Sequence, residues 1–480
     1  MEEALLPQIK DGSPKNLRKL DEFERGLVRV SRDYHGALKQ AAVLGIKGMR
    51  IDVARLKAAL KLMERRHPAA RSVLVDWETL EEVDAEENII PVFEMERENE
   101  DTWKTLWQNE QSIPVQLNIS PIKVFVLQGD DQSEILVSAF HFVADGISLM
   151  ELTHETLLAM EDLTIKWPAK DWIKSQYEIT ETVFPKYCLR GYGFCRAFTE
   201  VLCKTLCYRI DHIDPEEKPI SEKEFSSGSL LSQGKLCQAD LLHLRNISKN
   251  VYNVTLHPVL CVAAMRAVAE NIDPDKPSYV TAGSIINLRP VYKHVCDQLE
   301  VEPSDMRHLS SAVTVRSYLG GEVIKDPEEL WREVMKIQQQ FKSKSTTSLL
   351  AYSLVAGIMF KNIPIDGYGD SLLVSNLGKS CLKPSYDTLG DINFLYPLLN
   401  YNILTHPYVC FTTFNGELNY SVIGTPRWLQ QEKIDSICAS IKRILKQMLE
   451  RHREQLDDHH LDAEPSSDSN SKFQARSTAA

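Results

Sequence analysis

The chain has 480 residues, of which 43% are hydrophobic and 25% charged, and its formal net charge is -12. This composition is ordinary for a globular protein and suffices for two modest domains or one large two-lobed unit. The acidic balance argues against nucleic acid as a partner. The opening segment MEEALLPQIKDGSP lacks a basic region followed by a long apolar core, so we expect a cytoplasmic protein without a secretory signal.

Two apolar stretches, residues 258–265 and 348–360, are the longest in the chain. Both are shorter than the ~20 residues that a transmembrane helix needs, so each predicts a buried helix or the wall of a channel. The ten cysteines include no CxxC pair. In a chain without a signal peptide, this pattern favours reduced thiols over disulfides and argues against a structural zinc site. We therefore expect no bound metal.

The first third of the chain alternates helical and strand patterns. Asp52 precedes an apolar repeat of helical spacing, which predicts an amphipathic helix with an aspartate cap. Residues 120–142 hold two β-rich runs around the turn sequence GDDQ and predict a hairpin whose second strand ends at His141. The helical periodicity that follows places Asp145 and Gly146 at a strand-to-helix junction, where functional side chains are often displayed.

The second half repeats this mixture. One strand pattern leads to Arg289 and Pro290, and another buried strand, SLLVSNLG, ends in Asn376 and Gly378. Asp326, followed by proline, predicts the start of an amphipathic helix. The Asn415-Gly416 pair lies between two β-rich runs and is the strongest short-range signal for a hairpin.

These patterns divide the chain into four parts. Residues 1–182 form a predicted N-terminal lobe, residues 183–236 a connection, residues 237–456 a C-terminal lobe that ends in a long helix, and residues 457–480 a polar, disordered tail. The simplest interpretation of the start of the connection, which is rich in cysteine, aromatic and basic residues, is a partly buried helix before a surface loop. The alternative is a lipid-facing patch with acylatable cysteines, which leaves peripheral membrane contact open.

His141 has the clearest potential for catalysis. A histidine fixed at a strand end can take a proton from a hydroxyl or amine that attacks a carbonyl, and a thioester donor then needs no covalent acyl-enzyme. The competing interpretation is a core histidine bonded to a backbone carbonyl; the motif and its setting favour catalysis. Asp145 would pair with an arginine and pin the loop, while Gly146 would permit a tight backbone. The chain has no GxSxG, GxxxxGK or GxGxxG motif, which disfavours hydrolase, nucleotide-driven and nicotinamide chemistry.

The segment FHFVADG around His141 resembles the HHxxxDG signature of the CoA-dependent acyltransferase superfamily, which includes condensation domains, alcohol acetyltransferases and wax-ester synthases. Further segments similar to this family occur in the expected order and cover most of residues 18–450: LDEFERGL, LKLMERRHPAARSVLV, INLRP, VSNLG and GELNYSVIG. The DFGWG motif of the plant-type enzymes is missing. The likeness is therefore greatest to the alcohol-acetyltransferase and wax-synthase branch.

The resemblance implies an α/β fold of two chloramphenicol acetyltransferase-like lobes, with mixed sheets and flanking helices, arranged in a V around a central tunnel. It implies that His141 is the general base, that Asp145 is structural and that Arg289 is the ion-pair partner of Asp145. Acyl-CoA would serve as co-substrate with no bound cofactor, and the acceptor would be a small alcohol or amine. Ser375 and Asn376 would either contact the thioester carbonyl or pack inside the strand.

One position departs from the signature, because Phe140 stands where its first histidine is expected. The family chemistry is assigned to the second histidine, so we expect activity to survive. Two alternatives remain open at this point: a non-catalytic protein that binds an acyl chain or a carrier protein on the same fold, and a condensation-like enzyme that uses carrier-bound acyl groups. We expect a monomer.

Overall fold

The structure is a computed structural model. It describes residues 16–83, 89–176, 178–179, 228–272, 278–295, 301–320, 323–324, 326–343, 370–403, 406–426 and 428–461. Most of the predicted lobe connection, the apolar stretch 348–360 and the tail beyond residue 461 lie outside these residues.

The described strands and helices alternate along the chain. The strands are β1 (Leu17–Lys19), β2 (Lys39–Lys47), β3 (Ser72–Asp76), β4 (Thr79–Glu82), β5 (Val92–Glu96), β6 (Ile122–Gln128), β7 (Gln132–Phe140), β8 (Leu230–Leu236), β9 (Ser278–Asn287), β10 (Ser310–Leu319), β11 (Leu372–Lys379), β12 (Ser385–Tyr386), β13 (Gly390–Leu399), β14 (Tyr408–Phe414) and β15 (Glu417–Gly424). The helices are α1 (Glu22–Asp33), α2 (Val53–Arg66), α3 (Thr102–Gln111), α4 (Gly146–Glu161), α5 (Gln238–Asn246), α6 (Leu256–Ile272), α7 (Arg289–Val295), α8 (Pro327–Ser343) and α9 (Gln431–Leu461).

Two six-stranded sheets form the framework. The first has the order β12-β13-β2-β7-β6-β5 and the second the order β10-β9-β11-β14-β15-β8, while β1, β4 and β3 make a small third sheet. Both large sheets are mixed: β5 runs parallel to β6 in the first, and β11 runs parallel to both β9 and β14 in the second. The prediction of an α/β fold with two mixed sheets and flanking helices is confirmed.

Each large sheet buries its own core. Alternate residues of β2 show the division in the first sheet: Ala42 and Leu44 pack with α1, α2 and α4, whereas Ala41 and Val43 face the tryptophans of α3 on the other side. This alternation follows from the period of two in a strand. The second sheet packs against α5, α6, α8 and α9, and the apolar stretch 258–265 predicted to be buried lies inside this core.

The first sheet contains strands from both halves of the chain. Strand β13 comes from the second half but pairs with β2 of the first sheet, from Ile392 opposite Ile46 to Leu399 opposite Gln40. Strand β8, placed by the sequence in the connection, pairs with β15 as an edge of the second sheet. A strand partner several hundred residues away leaves no local signal in the sequence, since pairing depends on which edge is free after the chain has folded.

The local predictions agree with the structure. Asp52 caps α2 by accepting from the backbone N–H of Arg55 at 2.9 Å, β6 and β7 form the expected hairpin, and β14 and β15 pair around Asn415 and Gly416, which have φ values of 47° and 77°. The positive φ at both turn positions explains why Asn-Gly suits this hairpin. Helix α9 runs to Leu461, beyond the predicted start of the tail at residue 457.

No single helix among the described residues is long and apolar enough to span a membrane. Helix α5 and the turn after it reach the required length and hydropathy only when they are combined with α6. The chain bends by 112° between these two segments. The apolar residues of α6 are buried in the second core.

Candidate active site between the two sheets

A cavity of about 70 Å³ lies where the two large sheets face each other. Its walls come from β2, the end of β7, the start of α4 and the end of β13 on the side of the first sheet, and from β9, β10, β11 and β14 on the side of the second. All of the sequence-predicted site residues except Arg289 line this cavity: His141, Asp145, Gly146, Ser375 and Asn376. Residues that are far apart in the chain are therefore brought to one site.

His141 directly follows β7, and a backbone carbonyl holds its ring. The Nδ1 atom of His141 lies 3.0 Å from the carbonyl oxygen of Ala144. Because a carbonyl oxygen only accepts, the neutral ring carries its hydrogen on Nδ1, and Nε2 presents a lone pair. The side-chain amide of Gln40 donates to the same carbonyl at 2.6 Å, which helps to fix the loop that orients the imidazole.

Burial lowers the pKa of His141 below its ordinary value of 6.5, against the opposing effects of the Ala144 carbonyl and of the nearby Asp145 carboxylate. Burial has this effect because a low-dielectric environment disfavours the charged imidazolium. At neutral pH the imidazole is therefore unprotonated. That is the protonation state a general base requires.

Asp145 caps α4, and both oxygens of its carboxylate accept hydrogen bonds. Its Oδ1 accepts from the backbone N–H and the hydroxyl of Ser148, and its Oδ2 accepts from Arg289 Nη1 at 2.7 Å and from the backbone N–H of Leu309 at 3.0 Å. Burial acts to raise the pKa of this carboxyl, but the Arg289 charge and the hydrogen bonds outweigh it and lower the pKa to about 2. With both oxygens engaged in this way, Asp145 joins the start of α4 to the second half of the chain rather than orienting the imidazole.

Arg289, at the first turn of α7, holds the other side of this junction. Besides Asp145, its guanidinium donates to the backbone oxygens of Glu302, Asp305 and Arg307. The pairing with Asp145 that the resemblance implied is thus present at 2.7 Å. The side chains of both residues are buried, so each charge depends on the other.

Glycine is required at position 146 for space rather than for the tight backbone expected from the sequence. Its φ is not among the positive values of the described residues, so the backbone entering α4 needs no glycine. A Cβ atom at this position would lie 2.8 Å from Cδ2 of Leu377, a residue of β11. The glycine therefore makes room for a side chain from the opposite wall of the cavity.

Ser375 and Asn376 lie on β11, across the cavity from His141. Ser375 lies opposite Cys410 of β14 in the parallel pair, and both residues line the cavity. The Oδ1 of Asn376 accepts from the backbone N–H of Gly378 at 3.0 Å, which leaves the Nδ2 group, a donor, as the end of the amide that can reach a ligand. Burial raises the pKa of Cys410 to about 12, so its thiol stays neutral and is a poor nucleophile.

Sequence reasoning missed Gln40, His308 and Ser310. The ring of His308 packs edge-on against that of His141, with 4.6 Å between the ring centroids, and Ser310 lines the cavity. The available signal was that His308, like His141, is a histidine beside a strand terminus. Only the tertiary structure, which brings the end of β7 near the start of β10, shows that His141 and His308 belong to one site.

Phe140, in the position of the first motif histidine, is not among the residues that line the cavity. Its ring is buried and lies 4.6 Å from the Nζ atom of Lys39, its neighbour on β2. Lys39 is itself buried and bonded to Glu110. Phenylalanine at this position therefore packs in the core and makes a cation–π contact with Lys39.

Among the described residues, no group of three or more histidine, cysteine, aspartate or glutamate side chains is arranged to hold a metal ion.

Comparison with known proteins finds no matching family model and no matching curated sequence. Solved structures do match. Trichothecene 15-O-acetyltransferase TRI3 from Fusarium sporotrichioides has a TM-score of 0.68 at 12% identity, covering 92% of this chain and 98% of its own. The epimerization domain from the third module of tyrocidine synthetase B has a TM-score of 0.61 at 13% identity, covering 92% and 99%.

The starter condensation domain of rhizomide synthetase RzmA, solved as a point mutant in complex with C8-CoA, is also similar, with a TM-score of 0.61, 13% identity and coverage of 90% and 94%. The chain therefore has the two-lobed fold of condensation domains and CoA-dependent acyltransferases, as the resemblance implied. At these identities the likeness establishes the fold and leaves the reaction to be argued from the site.

Proposed function

We propose that this protein transfers an acyl group from a thioester donor to a hydroxyl or amine acceptor, with His141 as general base. One observation carries the proposal: Nδ1 of His141 is bonded to the Ala144 carbonyl, and the ring lines a cavity between the two sheets. The lone pair of Nε2 is then the proton acceptor for a substrate in that cavity. The lowered pKa keeps this nitrogen unprotonated at neutral pH.

The reaction balances without any further protein nucleophile. Nε2 of His141 takes the acceptor proton while the acceptor oxygen or nitrogen forms a bond to the thioester carbonyl carbon. The carbonyl electron pair moves to its oxygen and then returns, which breaks the carbon–sulfur bond. The departing thiolate takes the proton from Nε2, so the products are an ester or amide and a free thiol, and the imidazole is neutral again.

Asn376 is our candidate for stabilising the negative oxygen of the tetrahedral intermediate. Its Oδ1 is held by Gly378, and its Nδ2 group is a donor on the wall opposite His141. One such donor typically contributes about 10²-fold or more to turnover. Ser375 belongs to the same wall, opposite Cys410 of β14.

Acyl-CoA is our proposed donor, used as a co-substrate with no bound cofactor. Two of the similar solved structures support this choice, an acetyltransferase and a condensation domain bound to C8-CoA. A carrier-bound acyl group is the second candidate donor, since the fold also occurs in peptide-synthetase domains. Binding of an acyl chain without turnover is the remaining alternative, and the unprotonated His141 in the cavity argues against it.

The test is the release of free thiol from a panel of acyl-CoA donors in the presence of mixed alcohols and amines. We expect His141→Ala to lower kcat by about 10²-fold to 10⁴-fold, the usual contribution of a general base, with an unchanged circular dichroism spectrum. His243→Ala, which alters a histidine outside the cavity, is the matched control. Wild-type rates in the His141 variant would overturn the assignment, and acyl-CoA binding without release would favour the binding or carrier-dependent alternatives.

A further inference from the structure

A second histidine, His308, sets the orientation of a hydroxyl in the cavity wall. Nδ1 of His308 lies 3.1 Å from Oε1 of Gln176, and its Nε2 lies 3.0 Å from Oγ of Ser310. Burial lowers the pKa of His308 to about 3, so the ring is neutral. Ser310 lines the same cavity as His141, and the two imidazoles pack against each other.

The direction of these bonds follows from the chemistry of their partners. An amide oxygen only accepts, so Nδ1 of His308 carries the ring hydrogen and donates to Gln176. Nε2 then has only a lone pair, and the Ser310 hydroxyl must donate its hydrogen to it. With its hydrogen committed in this way, the Ser310 oxygen offers only lone pairs to a ligand. Nε2 of His141 and Oγ of Ser310 are thus acceptors on residues that line the same cavity.

The charge of the cavity argues for a neutral ligand. Asp145 is the only acidic residue among the described residues that line it, and its two oxygens are occupied by Ser148, Arg289 and Leu309. An alkylammonium group would lose its hydration here without gaining a counterion, which is unfavourable. A hydroxyl meets no such cost, because it donates one hydrogen to one acceptor.

We propose that the acceptor substrate is a neutral diol or polyol in which a second hydroxyl lies next to the one that is acylated, and that Ser310 binds this second hydroxyl. The inference rests on the proposed acyl transfer, and His141 takes the proton of the first hydroxyl. Ser310 is then a residue that determines acceptor specificity. His308 is a positioning residue that fixes the direction of the Ser310 hydroxyl.

The hydrogen positions are tested first, and this test needs no substrate. Nitrogen-15 NMR of labelled protein should show His308 as the Nδ1–H tautomer, unchanged from about pH 5 to pH 8. The Nε2–H tautomer, or a ring that titrates in this range, would overturn the inference, because Ser310 would then be free to donate.

Binding is tested on His141→Ala, so that turnover does not interfere, with octane-1,2-diol and octan-1-ol as a matched pair of probes. One additional hydrogen bond is worth about 0.5–1.5 kcal/mol, so we expect the diol to bind roughly 2-fold to 10-fold more tightly. Adding Ser310→Ala should abolish the preference, while Ser317→Ala, the same change on the opposite face of β10, should keep it. Equal affinity for the two probes in the presence of Ser310 would overturn the inference.

Turnover separates the two proposals. In the otherwise wild-type protein, Ser310→Ala should lower the ratio of kcat/KM for the diol to kcat/KM for the monohydric alcohol by a similar factor. His308→Phe should lower this ratio as well, whereas His308→Gln, which can accept from Ser310 and donate to Gln176, should restore it. Acyl transfer without a diol preference overturns this inference alone, and a diol preference in binding without acyl transfer overturns the proposed reaction alone.

Discussion

The geometry of His141 suits both a packed core histidine and the general base that we propose. Its Nδ1 is bonded to the backbone carbonyl of Ala144, which is the arrangement expected of a histidine satisfied within a core. The same bond fixes the tautomer that a base needs, since it places the lone pair on Nε2. What distinguishes the two roles is the cavity beside the ring.

In the proposed reaction, the pH dependence of turnover reports on His141. Burial lowers the pKa of His141 from 6.5, so its protonation, which inactivates a general base, occurs at lower pH than for an ordinary histidine. We expect kcat/KM for the alcohol acceptors to fall as the pH is lowered, with a midpoint below 6.5. The measurement is a kcat/KM profile from about pH 4.5 to pH 8, with folding monitored by circular dichroism. A midpoint above the ordinary histidine value would contradict the burial of the ring.

The Asp145 carboxylate makes stability depend on acid pH. Its pKa is lowered from 3.8 to about 2 in the folded state, so its contribution of roughly 2 kcal/mol is complete above about pH 4 and is lost as the pH falls towards 2. Asp145→Asn should destabilise the protein by about 3–5 kcal/mol at neutral pH, because Arg289 is left buried without its partner. In denaturant unfolding, the difference in free energy of unfolding between the wild-type protein and Asp145→Asn should become smaller below about pH 4.

The control for that experiment is the exposed pair of Arg32 and Asp33, which lie 2.7 Å apart. Asp33→Asn should change the free energy of unfolding by less than about 1 kcal/mol, since water screens an exposed pair. A loss as large as that of Asp145→Asn would show that burial does not govern these ion pairs.

At the scale of the elements, the pairing of β2 with β7 explains the altered motif. Lys39 and Phe140 are opposite each other in this pair, and Lys39 donates to the backbone oxygen of Glu110 and to its carboxylate. Burial lowers the pKa of Lys39 to about 8. A phenyl ring tolerates a neighbouring ammonium group because its face carries partial negative charge.

Restoring the motif histidine should therefore harm the protein. We expect Phe140→His to lower the free energy of unfolding by about 1–3 kcal/mol, because the imidazole places a polar group beside a buried cation. Turnover per folded molecule should not rise, since Phe140 does not line the cavity. Phe140→Leu, which keeps an apolar side chain, should lose less stability in the same denaturant titration. An equal loss in both variants would show that only the volume of the ring matters.

At the scale of the whole molecule, the two halves of the chain are joined by more than the sheets that face each other. Strand β13 completes the first sheet and also contacts β14 and β15 of the second. Among the described residues, three ion pairs with largely buried side chains link the first half to the second: Glu24 with Arg307, Asp145 with Arg289, and Lys170 with Asp305. The lobes therefore cannot separate without exposing unpaired charges.

We expect the two lobes to unfold together. Leu395→Ala, a change in the buried part of β13, should cost about 2–5 kcal/mol. Hydrogen exchange should then accelerate in both β7 and β14, although only β13 was altered. Acceleration confined to the first sheet, or two separate transitions in denaturant, would show that the lobes are independent.

The sequence by itself determined what depends on near neighbours. The alternation of β6 and β7 around GDDQ, the cap at Asp52 and the turn at Asn415 and Gly416 are local patterns, and the structure contains each of them. The HxxxDG segment likewise identified His141 and Asp145, because a strand end, a turn and a helix cap lie within a few residues of one another.

Only the tertiary structure decided what depends on distant partners. The assignment of β13 to the first sheet, the contact of Gly146 with Leu377, and the packing of His308 against His141 all join segments that are far apart in the chain. Such contacts form because the packed sheets leave particular edges and side chains facing each other, and no periodicity in a single chain encodes which ones they are.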